Sequence, residues 1–263
     1  MWISVSWHTG IVKILVTNDD GIESPGLHYL AEELSQHGDV IVFAPSSEYS
    51  GAGTAIGHIG GGVPSVAKMQ RPEMPNAEAV YTVDGPPALA ALLACRGAFG
   101  FMPDLVASGI NPGWNVGLAV HHSGTVGAAI TAHSLGVPAL AVSQHSVPSD
   151  NGQQWAVAAR AAASLLDEAF AHRWPLNINV PNTGADDDLE VVWTVPSDRV
   201  PWGFHNTELV EVADGRFQIK YEHHGPYTNH ERTDTYAVEA NRISVTPIVT
   251  SVAASTAGLA GDK

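Results

Sequence analysis

The sequence predicts an α/β protein with a mostly parallel sheet and a β-hairpin extension in its C-terminal part. Short, nearly continuous apolar runs recur along the chain, as is typical of strands buried on both faces of a parallel sheet. Amphipathic or Ala-rich stretches of helical length separate these runs. The pattern changes after about residue 185, where short strand candidates flank Asp214-Gly215, a strong hairpin signal.

The first βαβ unit has the clearest signals. Residues 11–18 are nearly all apolar and end in polar side chains, which predicts a buried strand. Ser24 is a favourable N-cap and Pro25 suits the first helical position. Apolar residues then recur every three or four positions, and Gly38 supplies a stop. The apolar run 39–45 predicts the second strand, which completes a unit with a right-handed crossover.

The same alternation continues to about residue 180 and then gives way to short strands. Further strands in the alternating part are predicted at 79–83, 104–108, 138–143 and 176–180. Helices are predicted over 87–95, 124–136 and 152–170. The later strands are predicted at 190–195, 208–212, 216–221 and 242–249. The last of these returns to the main body.

This pattern predicts a single α/β domain over 1–263. Its part at 185–232 is a β-rich extension, which we expect to mediate oligomer contacts. Flexible ends are predicted at 1–10 and 250–263. Residues 1–10 show no strand or helix pattern, and residues 250–263 are mostly small or polar. The glycine-dense segment 57–63 is predicted to be a loop.

Charge and composition exclude several classes of protein. The chain carries 12 Lys and Arg against 27 Asp and Glu, a formal net charge of −15 that repels a nucleic-acid backbone. No run approaches the roughly 18 apolar residues of a membrane-spanning helix, and the first residues lack the features of a secretory signal. Cys95 is the single cysteine, which excludes an internal disulfide. We expect a cytoplasmic protein that binds neither a nucleic-acid polymer nor a membrane.

Three predicted strands end in polar segments at the carboxyl edge of the sheet, where open parallel sheets bind ligands. These segments are 17–21, 46–51 and 108–113. The adjacent carboxylates of Asp19 and Asp20 repel each other unless a cation lies between them or one is protonated. Their oxygens, with those of Ser50 and Asn111, suit Mg²⁺, Mn²⁺ or Ca²⁺. The alternative is that Asp-Asp-Gly only makes a turn after the strand.

The start of the predicted helix 124–136 is a second candidate element. Ser123 is placed to cap this helix, and the backbone amides of Gly124 and Thr125 then point at whatever lies before it. Such a helix N-terminus is a ready anion site, although a serine cap with glycines for close packing explains the same residues. A neighbouring cation favours the anion site, because the two together form a phosphate clamp.

Other nucleotide-binding and hydrolase signatures are absent from the sequence. It has no G-x-G-x-x-G after the first strand, no Walker loop and no G-x-S-x-G elbow. A receiver-like switch is one rival hypothesis, since acidic pairs after a first strand also hold Mg²⁺ in signalling modules. That class expects a shorter chain and a lysine at a late strand end, whereas Lys68 and Lys220 lie elsewhere. A non-catalytic protein that binds a metal and a nucleotide is another rival.

Six motifs resemble, in order and spacing, the SurE family of survival-protein nucleotidases. They are ILVTNDDGIESPGL (14–27), APSSEYSGAG (44–53), PDLVASGINPGWNVG (103–117), SGTVGAA (123–129), LNINVP (176–181) and ISVTPI (243–248). The resemblance covers about residues 12 to 249, nearly the whole chain. Departures such as His122 before the SGT motif and DGPPALA at 84–90 bear on substrate preference rather than on reaction class.

The resemblance implies a Rossmann-like three-layer fold and a metal-dependent 5′-nucleotidase that hydrolyses nucleoside monophosphates. It implies one divalent ion per subunit, Mg²⁺ or Mn²⁺, with Ca²⁺ as a substitute in crystals. The positions that match the family's metal ligands are Asp19, Asp20, Ser50 and Asn111. Those that match its phosphate contacts are Asn115, Ser123, Gly124 and Thr125. Family members exchange their C-terminal β extension, which implies a homodimer or homotetramer.

The resulting hypothesis is phosphomonoester hydrolysis by a metal-activated water. Asp19 is the candidate for orienting or deprotonating that water, and Asp20 is mainly a ligand. Asn115 and Ser123 complete the catalytic set by holding the oxygens that gain charge, and Ser123 is a candidate proton donor to the leaving oxygen. Attack by Asp19 itself, giving an aspartyl phosphate, is the rival route. The preferred base, the 5′ or 3′ position, polyphosphate activity and the native metal stay open.

Overall fold

A computed structural model describes residues 11–57, 63–146, 152–172, 174–184, 188–200, 205–222 and 229–250. The strands are β1 (Lys13–Thr17), β2 (Asp39–Pro45), β3 (Val66–Met69), β4 (Ala79–Val83), β5 (Leu105–Pro112), β6 (Ala139–Gln144), β7 (Leu176–Val180), β8 (Val191–Trp193), β9 (His205–Ala213), β10 (Arg216–Glu222) and β11 (Ile243–Pro247). The helices are α1 (Pro25–Leu34), α2 (Pro87–Cys95), α3 (Gly124–Ser134), α4 (Trp155–Ser164), α5 (Leu166–Ala171) and α6 (Asp234–Glu239). A 3-10 helix spans Gly117–His121.

Nine of the described strands form one sheet in the order β3-β4-β2-β1-β5-β6-β7-β11-β8. The six strands from β4 to β7 in this order are all parallel to their neighbours. β3 and β11 pair antiparallel with β4 and β7 respectively. The chain builds outward from β1 to one side and then from β5 to the other, so the β1–β5 pair is the topological switch point. The predicted mostly parallel α/β sheet is confirmed.

Helices cover both faces of the sheet and produce three layers. On one face, α1 and α4 share an apolar cluster with strand residues such as Ile14 and Val42. On the other face, α2 and α3 share a second cluster with Leu15 and Phe43. Neighbouring residues of a strand point to opposite faces, so the nearly continuous apolar runs supply both clusters.

Close contact between α1 and β5 brings two of the polar strand ends together. Helix α1 has Pro25 in its first turn, as predicted, and buries Leu27 and Leu30. A Cβ atom on Gly26 would lie only 2.2 Å from the carbonyl oxygen of Ile110. The glycine therefore lets the helix backbone lie directly against the end of β5, beside the segment that follows β1.

Two secondary-structure predictions require correction, and one edge strand was not predicted. The helix predicted over 152–170 is two helices, of which the first begins at Trp155; just before it, the Gln154 N–H donates a hydrogen bond to Asn182 Oδ1. Strand β5 continues to Pro112 because its pairing with β6 resumes after a register shift. The chain after the predicted loop 57–63 contains the edge strand β3; residues 58–62 lie outside the described ranges.

Strands β9 and β10 form a separate two-stranded antiparallel sheet. Asp214 and Gly215 have φ angles of 35° and 75°, as a two-residue hairpin turn of the primed type requires. The predicted hairpin is thus confirmed. It carries exposed apolar side chains, with Leu209 67%, Phe217 54% and Ile219 61% exposed.

The last strand returns to the main sheet, as predicted, where β11 lies between β7 and β8. The predicted flexible ends fall outside the described residues, apart from Thr250. Within the described segments, none of the helices combines the length and apolarity that a bilayer span requires.

Candidate functional site

A cavity of about 370 Å³ opens at the carboxyl edge of the sheet. Six of the predicted site residues line it: Asp19, Asp20, Ser50, Asn111, Asn115 and Ser123. They come from the segments after β1 and β2, from the end of β5 and the segment that follows it, and from the N-terminus of α3. The cavity thus occupies the expected ligand position of an open α/β sheet, and its volume suits a small molecule.

The Asp19 carboxylate lies between the end of β1 and the first turn of α3. The residue is 3% exposed, and its Oδ1 accepts a 2.6 Å hydrogen bond from Thr125 Oγ1. Its backbone carbonyl accepts a 2.7 Å hydrogen bond from the Tyr49 N–H, in the loop after β2. A Cβ on Gly124 would lie 2.8 Å from Asp19 Oδ2, so a larger residue there would displace the carboxylate.

Burial raises the pKa of both aspartates. The hydrogen bond from Thr125 opposes this rise in the pKa of Asp19. Burial, with the negative charges of Asp19 and Glu48, raises the pKa of Asp20 to about 7. Asp20 Oδ2 is buried and has no hydrogen-bond partner among the described residues. A cation between two such carboxylates stabilises their ionised forms.

The loop after β2 carries Ser50 into the cavity. Ser50 Oγ donates a 2.7 Å hydrogen bond to Glu48 Oε1. The Gly53 N–H donates to the His122 carbonyl at 3.1 Å, directly before α3. A Cβ on Gly127 of α3 would lie 2.0 Å from the Gly53 carbonyl oxygen. The glycine at 127 therefore permits the close contact that brings this loop against the helix.

Asn111 lies in the part of β5 where pairing with β6 resumes. Its Nδ2 donates a 2.7 Å hydrogen bond to the Gly113 carbonyl. The amide nitrogen is thereby engaged, so the amide oxygen is the atom of this side chain that suits a hard cation. Gly113 has φ of 137°, a conformation that favours glycine.

Asn115 is held by polar side chains from the two neighbouring strands. Its backbone N–H donates to Asn179 Oδ1 at 2.8 Å, and its Nδ2 donates to Ser143 Oγ at 2.8 Å. Its carbonyl accepts from Nδ2 of Asn177 at 2.8 Å and of Asn179 at 3.0 Å. The second hydrogen on Asn115 Nδ2 is the one this side chain can offer to an anion.

The buried carboxylate of Asp234, outside the cavity, helps to hold the cavity wall around Asn115 in place. Asp234, at the start of α6, accepts hydrogen bonds from the backbone N–H groups of Gly117 at 2.8 Å and Ser197 at 2.9 Å. Gly117 is two positions after Asn115 and has a positive φ of 56°. The C-terminal helix therefore fixes the chain that leaves the cavity wall.

Ser123 caps α3, as predicted, because its Oγ accepts a 3.1 Å hydrogen bond from the Val126 N–H. Its hydroxyl hydrogen is a donor toward the cavity that Ser123 lines. Gly124 and Thr125 are not among the residues that line the cavity. Thr125 instead contacts Asp19, and its hydroxyl and backbone N–H both lower the pKa of that carboxyl group. Contact of Gly124 and Thr125 with phosphate stays a prediction.

The oxygen atoms around the cavity fit a hard divalent cation. Among the residues that the structure describes, no three His, Cys, Asp or Glu side chains gather so as to hold a metal by themselves. A cation here would therefore need the serine and asparagine oxygens of the predicted set as well as its carboxylates. The buried, unpartnered Asp20 Oδ2 is the observation that favours one.

Several residues of the site and its support escaped the sequence interpretation. Glu48 and Trp114 line the cavity; Glu48 lies inside the polar segment 46–51, and Trp114 directly follows the polar segment 108–113. Asn177 and Asn179 alternate along an otherwise apolar strand, a spacing that puts them on one face and was available as a signal. Asp234 gave no signal of its contact with Gly117, which is remote in sequence.

The fold and the cavity define a doubly wound α/β protein that gathers carboxylate, hydroxyl and amide groups beside a helix N-terminus. A family model described as "Survival protein SurE" matches residues 14–201. The chain belongs to the SurE family.

Relatives from bacteria and archaea match nearly the whole chain. A Geobacter metallireducens protein named 5′-nucleotidase SurE is 37% identical over 246 residues, which cover 90% of this chain and 91% of that protein. A Methanopyrus kandleri protein of the same name is 35% identical, with 92% of each chain covered. The crystal structure of the Aquifex aeolicus SurE protein superposes with a TM-score of 0.72 at 27% identity, covering 94% of this chain and 96% of that one.

Proposed function

We propose that this protein is a divalent-metal-dependent phosphatase that hydrolyses nucleoside monophosphates to nucleoside and phosphate. The observation that carries the proposal is the shared cavity, in which the buried Asp19 and the partly buried Asp20 lie beside the hydroxyl-bearing N-terminus of α3. The 5′-nucleotidase class is supported by relatives that carry this name at 35–37% identity.

The proposed metal ligands are Asp19, Asp20, Ser50 and Asn111, with one ion per subunit. When bound, a divalent ion supplies Lewis acidity, which polarises a phosphoryl oxygen and lowers the pKa of water. Mg²⁺ and Mn²⁺ are the proposed ions because all four side chains offer hard oxygen atoms.

The proposed phosphate-holding groups are donors around the other side of the cavity. The Asn115 amide and the Ser123 hydroxyl donate to the phosphoryl oxygens as these gain charge. The network around Asn115 supports this role, because it fixes the donor before substrate arrives. The backbone N–H groups of Gly124 and Thr125 belong to the first turn of α3, where such groups lack helical acceptors, although the Thr125 N–H already hydrogen-bonds to Asp19.

Asp19 is the proposed group that orients the attacking water and takes its proton. The Thr125 hydrogen bond holds its Oδ1 in one position, which suits a group that orients water and accepts its proton. Ser123 is the proposed donor to the leaving oxygen. Attack by Asp19 on phosphorus is the alternative, and the stereochemical course with an isotopically chiral phosphoryl group distinguishes the routes. Inversion at phosphorus supports a single attack by water, and retention supports two displacements through an aspartyl phosphate.

The receiver-like alternative lacks its lysine in this cavity. Lys68 lies on the edge strand β3, where its Nζ is 5.8 Å from the centre of the Tyr81 ring, and Lys220 lies on the hairpin. Neither lysine lines the cavity. The hypothesis of a protein that binds nucleotide without turnover is tested by the phosphate-release assay described next.

Release of inorganic phosphate from AMP and GMP tests the function. We expect turnover with Mn²⁺ or Mg²⁺, loss of turnover with a chelator, and recovery when metal is restored. Nucleotide binding measured by calorimetry without phosphate release would instead support the non-catalytic alternative. A panel of 5′ and 3′ nucleotides and short polyphosphate ranks the substrates.

We further propose that the β9–β10 hairpin joins two or four copies of the chain by exchange. An isolated two-stranded hairpin is at best marginally stable, and exposed Leu209 and Ile219 gain by burial against a second copy. Light scattering of Leu209→Asp and Ile219→Asp variants is expected to show monomers. The cytoplasm is the proposed compartment, and a single buried free cysteine is compatible with its reducing conditions.

A further inference from the structure

Trp114 contributes an aromatic surface to the cavity next to the phosphate-holding groups. It directly precedes Asn115 and lines the same cavity. The 370 Å³ volume is larger than a phosphate group alone requires, so the cavity has room for part of the leaving group as well. The indole is the aromatic side chain that the described cavity wall offers to that group.

The position of the Trp114 ring is fixed by a second ring behind it. His145 stacks on the indole with ring centroids 4.1 Å apart and an interplanar angle of 23°. The His145 N–H donates to the Val180 carbonyl at 2.9 Å, which anchors the histidine at the carboxyl ends of β6 and β7. Since His145 covers one face of the indole, a ligand in the cavity that Trp114 lines can stack only on the other face.

The stack presents a neutral surface rather than a hydrogen-bonding edge. Burial lowers the pKa of His145, and the charge of Arg199 lowers it further, which favours the neutral imidazole. The Trp114 Nε1 is buried and finds no acceptor among the described residues. A ligand therefore meets the π surface of the indole, which favours a planar group without reading its hydrogen-bonding edge.

We propose that Trp114, backed by His145, is the platform on which the nucleobase of the substrate stacks, and that it selects purine nucleoside monophosphates. This inference rests on the proposed phosphatase function. A purine offers more planar area than a pyrimidine, and a sugar or glycerol phosphate offers none. Because the stack does not read base edges, AMP and GMP are expected to be used with similar efficiency.

Selectivity ratios in Trp114 variants test the platform. Trp114→Leu keeps apolar volume and removes the ring, and Trp114→Phe restores a smaller ring. We expect the ratio of kcat/KM for AMP to that for glycerol 2-phosphate to fall about 10-fold or more in the Leu variant, chiefly through KM. The Phe variant is expected to recover part of the ratio, which a purely structural role would not produce.

Trp193→Leu is a matched control. Trp193 also stacks on a histidine, His172, with centroids 5.4 Å apart at 18°, but it is 47% exposed and does not line the cavity. The control is expected to keep the wild-type ratio. An unchanged ratio in Trp114→Leu would overturn the proposal, as would an equal fall for both substrates.

Calorimetry with adenosine separates this inference from the proposed function. Failure of the wild-type protein to release phosphate from any substrate would refute the phosphatase and leave the stacking test intact. Adenosine binding that weakens about 10-fold or more in Trp114→Leu, but not in Trp193→Leu, supports the platform. Equal adenosine affinity in wild type and Trp114→Leu refutes it.

Discussion

The Thr125 hydroxyl donates a 2.6 Å hydrogen bond to Asp19 Oδ1, which joins the first turn of α3 to the end of β1. Both residues are buried, and Thr125 has no exposed surface. The bond supplies Asp19 with a donor in a setting where burial alone would favour its neutral form. Thr125 is thus a positioning residue for the carboxylate, in addition to any contact with phosphate.

Replacing Thr125 with Val is expected to lower kcat/KM for AMP by about 10- to 100-fold, because a buried carboxylate loses a charged hydrogen bond. The pH at which activity rises should move upward, since loss of the donor raises the pKa of Asp19 further. The pH–rate profile measures both effects. Thr125→Ser keeps the hydroxyl and should retain the wild-type profile; a Val variant with that same profile would refute the positioning role.

Asp19→Asn is expected to reduce turnover by at least about 10²-fold while the chain stays folded. The amide oxygen can still accept the Thr125 hydrogen bond, but an amide does not take a proton from water. Phosphate release and circular dichroism of the same preparation measure the two properties. Full activity in this variant, still dependent on metal, would remove Asp19 from the proposed chemistry.

Asp20→Asn is expected to stabilise the metal-free protein at pH 8 and to abolish its stabilisation by Mn²⁺. At that pH the carboxyl group, whose pKa is about 7, is largely ionised beside Asp19. Removing this charge should raise Tm by about 2–4 °C in thermal unfolding with chelator present. Asp167→Asn is the control, because Asp167 is exposed and the substitution removes the same charge. This variant should keep the increase in Tm that Mn²⁺ causes in the wild type. A Tm increase with Mn²⁺ in Asp20→Asn would contradict its role as a ligand.

Cys95 is expected to react slowly with thiol reagents until the protein unfolds. It is 1% exposed, and burial raises its pKa from 9.0 to about 11. Between about pH 9 and 11 the unfolded chain loses this proton while the folded chain keeps it, so stability should fall as pH rises. Denaturant titrations of wild type and Cys95→Ala compare this pH dependence, which should be weaker in the variant. Rapid labelling of native protein at pH 8 would refute the buried assignment.

The sequence was most informative where physical signals are local. Asp19 and Asp20 follow a run of buried strand residues, so the carboxyl-edge rule put them in the cavity. The same rule applied to Ser50 and Asn111, because parallel strands end at a common edge. Ser123 was recognisable as a cap because capping depends on residues within one turn.

The remaining features depend on contacts between distant parts of the chain. Asn115 bonds to Asn179, which is 64 positions away, and local propensity contains no term for such a pair. Trp114 and His145 meet only because β5 and β6 are neighbours. The α4–α5 break at Leu165 was missed because an Ala-rich run favours helix throughout and carries no stop signal.

Asp234 couples the stability of α6 to that of the cavity wall. Its carboxylate accepts hydrogen bonds from the backbone N–H groups of Gly117, next to the cavity wall, and of Ser197, in the segment after β8. Asp234 itself lies beyond residues 14–201, which the family model matches. Local unfolding of α6 would leave the Gly117 N–H without its acceptor, and the backbone of nearby Asn115 would become less firmly fixed. Because of this coupling, a ligand that binds Asn115 is expected to stabilise α6 and to slow the exchange of its backbone amide hydrogens.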